Sequence, residues 1–218
     1  MRRILAGAIA AACISSAVGT DAATAHSAER QAGSAHASTA GDGMVAGPAR
    51  GESAAASRIC ERQMAQAAAK YGVPLGMLYA VGLTESGKRG SLQPYAMNIQ
   101  GKAYFGTSAG DVVQRLTQAQ REGVRLVDLG CMQINHHYHR AKFASLEAMI
   151  DPAQNVEYAT RFLKELKERE GSWTLAVARY HAGPNNNPAQ KVYVCRVITN
   201  MVATGFGNWT PGAKAFCQ

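Results

Sequence analysis

Glu85 is the residue best placed to do chemistry. It is the only carboxylate between Glu61 and Asp111, and it closes an apolar stretch in which Leu75, Leu78, Tyr79 and Gly82 recur at helical spacing. A carboxyl at the C-terminal end of a helix faces the negative end of the macrodipole, which raises its pKa. Val81 and Leu83 add partial desolvation in the same direction. Such a group can stay protonated near neutral pH and give its proton to a leaving oxygen as a general acid. Taken alone, however, a Glu ending a helix is more often a solvated surface group.

Other residues qualify by type. Gly130-Cys131-Met132-Gln133-Ile134-Asn135 and Arg179-Tyr180-His181-Ala182-Gly183 are short runs in which an amide or a phenol stands among small residues. An amide can read sugar hydroxyls or an N-acetyl group, and a Tyr supplies both apolar surface and a hydroxyl. By residue type alone, Met132 reads as core and Tyr180 as a buried aromatic. Asp128 offers a second carboxylate, but its place just before a Gly turn suits turn or helix-start hydrogen bonding better. Asn98, in a candidate hairpin, is a possible saccharide contact or a plain turn residue. The run His136-His137-Tyr138-His139 lacks the two histidines four apart with an intervening Glu that zinc proteases use. No Cys-x-x-Cys pair occurs, so no metal site is expected.

The elements that must position these groups read as helices joined by short turns. Cys60 to Tyr71 is a helix stopped by Gly72 and Pro74, and Leu75 to Thr84 is a second, ending near Gly87. Tyr95 to Phe105 can form a small hairpin turning at Gln100-Gly101. Ser108-Ala109-Gly110-Asp111 resembles a capping box opening a helix with Val112, Leu116 and Ala119 inward. Asp151 caps the clearest helix, with Pro152 at its first position and Val156, Ala159, Leu163 and Leu166 on one face; Gly171 closes it. Trp173 to Tyr180 is another helix, broken at Gly183-Pro184, and a last one runs from Pro188 to Ala203. The fold class is therefore mainly α with one small β excursion.

The compartment is set by the first residues. Met1-Arg2-Arg3 precedes an apolar run from Ile4 to Val18, and Ala23-Thr24-Ala25 offers a small-x-small cleavage site, the order of a secretory signal over residues 1–25. Residues 26–57 are Ala, Ser, Gly and His with almost no large apolar side chain, and read as an unstructured leader. Residues 58–218 are left as one domain with a real core. Cys13 leaves with the signal. Cys60, Cys131, Cys195 and Cys217 remain, an even number that favours two disulfides in an oxidising compartment. The net charge of +8 suggests an anionic partner, and no Lys/Arg run interleaved with aromatics points to nucleic acid.

Glu85-Ser86, then Gly130-Cys131-Met132-Gln133, then Arg179-Tyr180-His181-Ala182-Gly183 stand in an order that resembles the three signatures of the soluble lytic transglycosylase family. That family is related in fold to goose-type lysozyme. The likeness runs from about Cys60 to Val202, and is nearest to small periplasmic transglycosylases of secretion, conjugation or flagellar systems. It implies a lysozyme-like helical domain that acts on peptidoglycan glycan strands in the periplasm, with no metal or organic cofactor. It makes Glu85 the single catalytic acid/base. Ser86 fixes the helix end, Met132 and Gln133 line the facing sugar subsite, and Tyr180 orients the carboxyl or the reacting sugar. Asn98 joins these as a candidate substrate contact. Two positions depart from the family pattern, Cys131 for Leu and His181 for Asn. Because the leading helix of this fold packs near the active-site turn, Cys60–Cys131 is expected, and Cys195–Cys217 is expected to pin the C-terminal tail to the last helix. The expected reaction cuts the bond between N-acetylmuramic acid and N-acetylglucosamine and leaves a 1,6-anhydro end. The alternatives are a hydrolytic muramidase and a non-catalytic wall-binding assembly factor.

Overall fold

Helix α1, Ile59–Tyr71, buries Cys60, Met64, Ala67 and Ala68 along one face, and Gly72 ends it in the left-handed conformation with its N–H on the Ala68 carbonyl. The computed structural model describes residues 58–183 and 187–218. The expected export signal and leader, and the break at Pro184, lie outside the described residues.

Helix α2, Leu75–Ser86, is apolar almost all round and runs through the core, with Met77, Leu78, Ala80 and Val81 buried. Gly82 is glycine because α1 crosses there: a Cβ would stand 2.4 Å from the Met64 methyl carbon. The hairpin forms where expected. Strand β1, Ala96–Ile99, pairs antiparallel with β2, Lys102–Phe105. Gln100 and Gly101 both take positive φ, 51° and 85°, as a tight hairpin turn requires.

The β region is larger than one hairpin. The other edge of β1 pairs with β3, Val127–Leu129, and β3 pairs in turn with β4, Ile134–Asn135, giving the sheet order β2-β1-β3-β4. Between sheet strands lies helix α3, Ala109–Arg121, capped by the Ser108 hydroxyl on the Asp111 N–H at 3.1 Å, with Val112, Leu116 and Ala119 inward as expected.

After β4 come a one-turn helix α4, His136–His139, a 3-10 turn at Arg140–Lys142, and α5, Leu146–Ile150. Helix α6, Pro152–Glu170, starts with Pro152 at its first position and the Asp151 carboxylate accepting from the Gln154 N–H, and ends at left-handed Gly171. Helices α7, Trp173–Ala182, α8, Asn187–Ala203, and α9, Pro211–Cys217, complete the chain. α6 lies against α1 and α7, while α8 lies against α2 and α7, so α2 is enclosed. Cys60 is bonded to Cys131, and Cys195 to Cys217. The first ties α1 to the turn between β3 and β4; the second ties α9 back to α8. Among the described residues no helix is long and apolar enough to cross a membrane.

Candidate active site

Glu85 closes the last turn of α2, where the apolar sequence that makes the helix a core element also carries the carboxyl into desolvated surroundings. It keeps some accessible surface. Even so, desolvation dominates and pushes its pKa up to about 8. The hydrogen bond from the Tyr193 hydroxyl to Glu85 Oε1, 2.5 Å, opposes that rise, and the charge of Asp128 adds to it. The next residue locks the helix end: the buried Ser86 hydroxyl donates to the Cys131 carbonyl at 2.7 Å and to the Gly82 carbonyl at 3.3 Å.

Opposite stands the turn Gly130–Gln133. Its shape is over-determined. Gly130 takes φ 81° and Gln133 φ 47°, the latter uncommon for a residue with a side chain. Asn155, wholly buried in α6, ties the turn to β3 and α5 with its side-chain polar atoms. Its Nδ2 donates to the Leu129 and Met149 carbonyls and its Oδ1 accepts from the Met132 N–H, each at 3.0 Å. A Cβ on Gly130 would sit 2.7 Å from the Asn155 nitrogen, so only glycine lets the carboxamide approach. The Gln133 Nε2 donates to the Ala96 and Gly130 carbonyls, which joins the turn to β1.

The expected site residues fall at distinct depths. Met132 has no exposed surface; its side chain is part of the core, and its carbonyl accepts from the Tyr180 hydroxyl at 2.8 Å. Gln133 is half-buried at the turn. Tyr180 reaches the turn rather than the Glu85 carboxyl, although burial and then the Glu85 charge hold its phenol well above the usual range. Asn98 lies on β1, away from these groups in role: its Oδ1 accepts from the Gly101 N–H at 2.7 Å and braces the hairpin turn. Asp128, on β3, accepts from Asn135 Nδ2 at 2.7 Å, and burial raises its pKa. Of the His run, His139 meets the Tyr158 hydroxyl at 2.8 Å and His137 packs edge-on to Tyr138.

Two residues of the site, Tyr193 and Asn155, carry no sequence signal for their roles, and His181, flagged by its motif, gains one from its contact with Tyr193. Tyr193, on α8, supplies the one side-chain hydrogen bond to Glu85 recorded among the described residues. Its position four residues before Val197 and next to Val194 marks an inward face, but nothing in that pattern names a partner 108 positions away. His181 lies flat on the Tyr193 ring, centroids 4.2 Å apart and planes within 2°. Burial, and then the Arg196 charge, lower the His181 pKa, so its ring is neutral at neutral pH. Asn155 lies in the first turn of the helix opened by Asp151-Pro152, where nothing in the local pattern marks its contacts with the Gly130–Gln133 turn.

A carboxylic acid that keeps its proton to about pH 8, held by a phenol donor and facing a rigid backbone turn, can protonate a leaving oxygen and afterwards recover a proton. The family model described as Transglycosylase SLT domain matches residues 62–196, which contain Glu85, the Gly130–Gln133 turn, Tyr180 and Tyr193. No curated protein and no solved structure matches the chain.

Proposed function

The chain belongs to the transglycosylase SLT domain family, and on that premise we propose that it cuts peptidoglycan at the β-1,4 bond between N-acetylmuramic acid and N-acetylglucosamine. The observation that carries this reading is Glu85 itself, a carboxyl whose pKa of about 8 keeps it protonated at neutral pH.

In the first half of the reaction the Glu85 proton passes to the bridging oxygen as its bond to the muramoyl C1 breaks, and the freed N-acetylglucosamine end departs. The carboxylate that remains is met by the Tyr193 hydroxyl, which donates to it at the moment it becomes charged. In the second half the C6 hydroxyl of the same muramoyl residue attacks C1, and its proton returns to Glu85. The product carries a 1,6-anhydro ring, no water is consumed, and the enzyme is restored. One carboxylate suffices because the nucleophile is tethered to the reacting carbon. Ser86, Asn155 and Gly130 act by holding the helix end and the turn at fixed separation; Gln133 and Tyr180 supply polar groups at the turn that faces the sugar.

A second reading, hydrolysis by water, is favoured by one observation: Asp128 stands close enough to Glu85 for its charge to raise the Glu85 pKa. A carboxylate so placed can hold a water on the opposite side of the sugar.

Two disulfides support an oxidising compartment, and the periplasm is part of the proposal together with export by residues 1–25 and a domain spanning 58–218. Service to a secretion, conjugation or flagellar assembly belongs to it as well. The experiment is turnover of purified sacculi by wild type and Glu85→Gln. Loss of several orders of magnitude in a folded variant is the expected result. Substantial residual activity moves catalysis to another residue, and an inactive wild type that still binds sacculi makes the protein a wall-binding factor.

A further inference from the structure

A cavity of about 730 Å³ outlined by the described residues does not have Glu85 in its wall. It lies between α8, α9 and the end of α2, and its wall includes Thr84, Lys191, Arg196, Asn200 and Trp209. No acidic side chain lines it. The surrounding chain is one-sided in charge: after Glu170 there is no Asp or Glu, whereas Arg179, Lys191, Arg196 and Lys214 are all cations. Among the described residues neither Lys191 nor Arg196 belongs to an ion pair. The Lys191 ammonium lies 5.7 Å from the centre of the exposed Phe216 ring.

The pocket is both rigid and close to the chemistry. The Cys195–Cys217 bond forms part of its wall and fixes α9 against α8. Asn200 Nδ2 donates to the Thr84 hydroxyl at 2.9 Å, which joins α8 to the last turn of α2. Thr84 is the residue immediately before Glu85, so the pocket and the catalytic carboxyl are served by the same helix end.

We propose that this pocket binds the carboxylate-bearing peptide stem carried by a muramoyl residue of the strand being cut. Lys191 and Arg196 would take the stem carboxylates, and Trp209, with the exposed Val192 beside it, would cover the aliphatic part. This rests on the peptidoglycan reading given above, because it is the shared helix end that turns a basic pocket into a substrate subsite. A stem anchored there steers the neighbouring glycosidic oxygen toward Glu85, so remote binding energy is used at the reacting bond.

The test separates the two readings. Calorimetric titration of the wild-type protein with a free stem tetrapeptide at low salt is expected to show saturable binding. Lys191→Ala/Arg196→Ala is expected to weaken it at least tenfold, and Lys191→Ala alone, which leaves the Arg196 charge near His181 in place, to weaken it by a smaller factor. In parallel, wild type is expected to cut stem-bearing strands at higher kcat/KM than strands stripped of stems by an amidase, with the double variant losing that preference. Absence of saturable binding, equal affinity in the double variant, or equal affinity for an oligoglutamate peptide overturns the assignment. A wild type that binds the tetrapeptide but cuts neither strand overturns the glycosidase reading and leaves the peptide site standing.

Discussion

The Tyr193 hydroxyl donates a 2.5 Å hydrogen bond to Glu85 from a helix 108 residues further along the chain. The two groups shift each other's titration in opposite senses relative to function. Burial drives Glu85 toward the neutral acid, while the phenol favours the carboxylate. The second influence matters once the proton has been given away. His181, stacked flat on the Tyr193 ring and neutral, limits the swing of that ring and so fixes where its hydroxyl points.

Tyr193→Phe keeps the ring and its stacking but removes the donor. The loss of one charge-assisted hydrogen bond is worth about 1.5–3 kcal/mol, so kcat should fall on the order of 10–100-fold. Because the Tyr193 bond lowers the Glu85 pKa, its removal should also move the alkaline limb of the pH–rate profile upward. A fall in rate with an unmoved limb would give Tyr193 a packing role only.

Glu85 couples activity and stability to pH in a defined direction. As the acid it must be protonated, so rate should be nearly flat up to pH 7 and fall with a midpoint near its pKa of about 8. In the folded protein Glu85 titrates near 8, against 4.5 for the unfolded chain. Between those values the folded state holds a proton that the unfolded state has lost. The stability associated with Glu85 is therefore complete below pH 4.5, declines as pH rises toward 8 and then levels off, with an upper bound of about 5 kcal/mol. Glu85→Gln should consequently melt near wild type at pH 4 and above it at pH 9. Equal melting temperatures at both pH values would show that Glu85 is not desolvated.

Asn155 illustrates what sequence patterns leave hidden. The helices were legible because apolar periodicity and end signals coincide: Ser108 and Asp151 cap the helices they were expected to cap, and Gly72 and Gly171 end theirs. The place of Glu85 at the end of α2 was legible from apolar periodicity, and the disulfide pairing from the family resemblance and the need to tie down the C-terminal tail. The strands β3 and β4 were not, since Val127–Leu129 and Ile134–Asn135 are too short to show alternation and exist only by pairing with β1 and with each other. Tyr193 and Asn155 act through contacts made across the fold, and a local pattern records only that they face inward.

Asn155→Ala should destabilise the protein by about 2–4 kcal/mol, because three buried backbone groups lose their partners together. Gly130→Ala should damage the same turn from the other side, by forcing a side chain into φ 81° and against the Asn155 amide. Both should lower activity more than stability alone explains, read as reduced kcat at temperatures where the variants remain folded. Full activity in a folded Asn155→Ala would detach the turn from catalysis.

The Cys60–Cys131 bond anchors the same turn to α1, and both cysteines are fully buried. Replacing the pair with Ala should cost about 2–5 kcal/mol. The Cys195–Cys217 pair should cost less in melting temperature, since α9 has no buried residue, but it should weaken tetrapeptide binding by loosening the pocket wall. Differential scanning calorimetry of the two double variants measures the first effect and titration the second. A larger melting loss from the C-terminal bond would reverse the assignment of roles.

The products decide between an internal nucleophile and water. If the C6 hydroxyl attacks, every new muramoyl end is a 1,6-anhydro ring, one water lighter than a hydrolysed end and without a reducing group. Glu85 serves such a reaction twice, as acid and then as base, and needs no partner carboxylate. A water nucleophile has no tether and must be held and deprotonated by a second group, for which Asp128, whose charge reaches Glu85, is the candidate. Asp128 is already engaged by Asn135 at 2.7 Å, and that bond gives the carboxylate a bracing function between β3 and β4 that needs no substrate. The expected outcome is thus anhydro ends from wild type, detected by mass spectrometry of fragments from purified sacculi. Asp128→Asn removes a charge that raises the Glu85 pKa, so it should shift the alkaline limb downward while still giving anhydro ends. Reducible ends from wild type, abolished in Asp128→Asn, would instead make the protein a muramidase with two catalytic carboxylates.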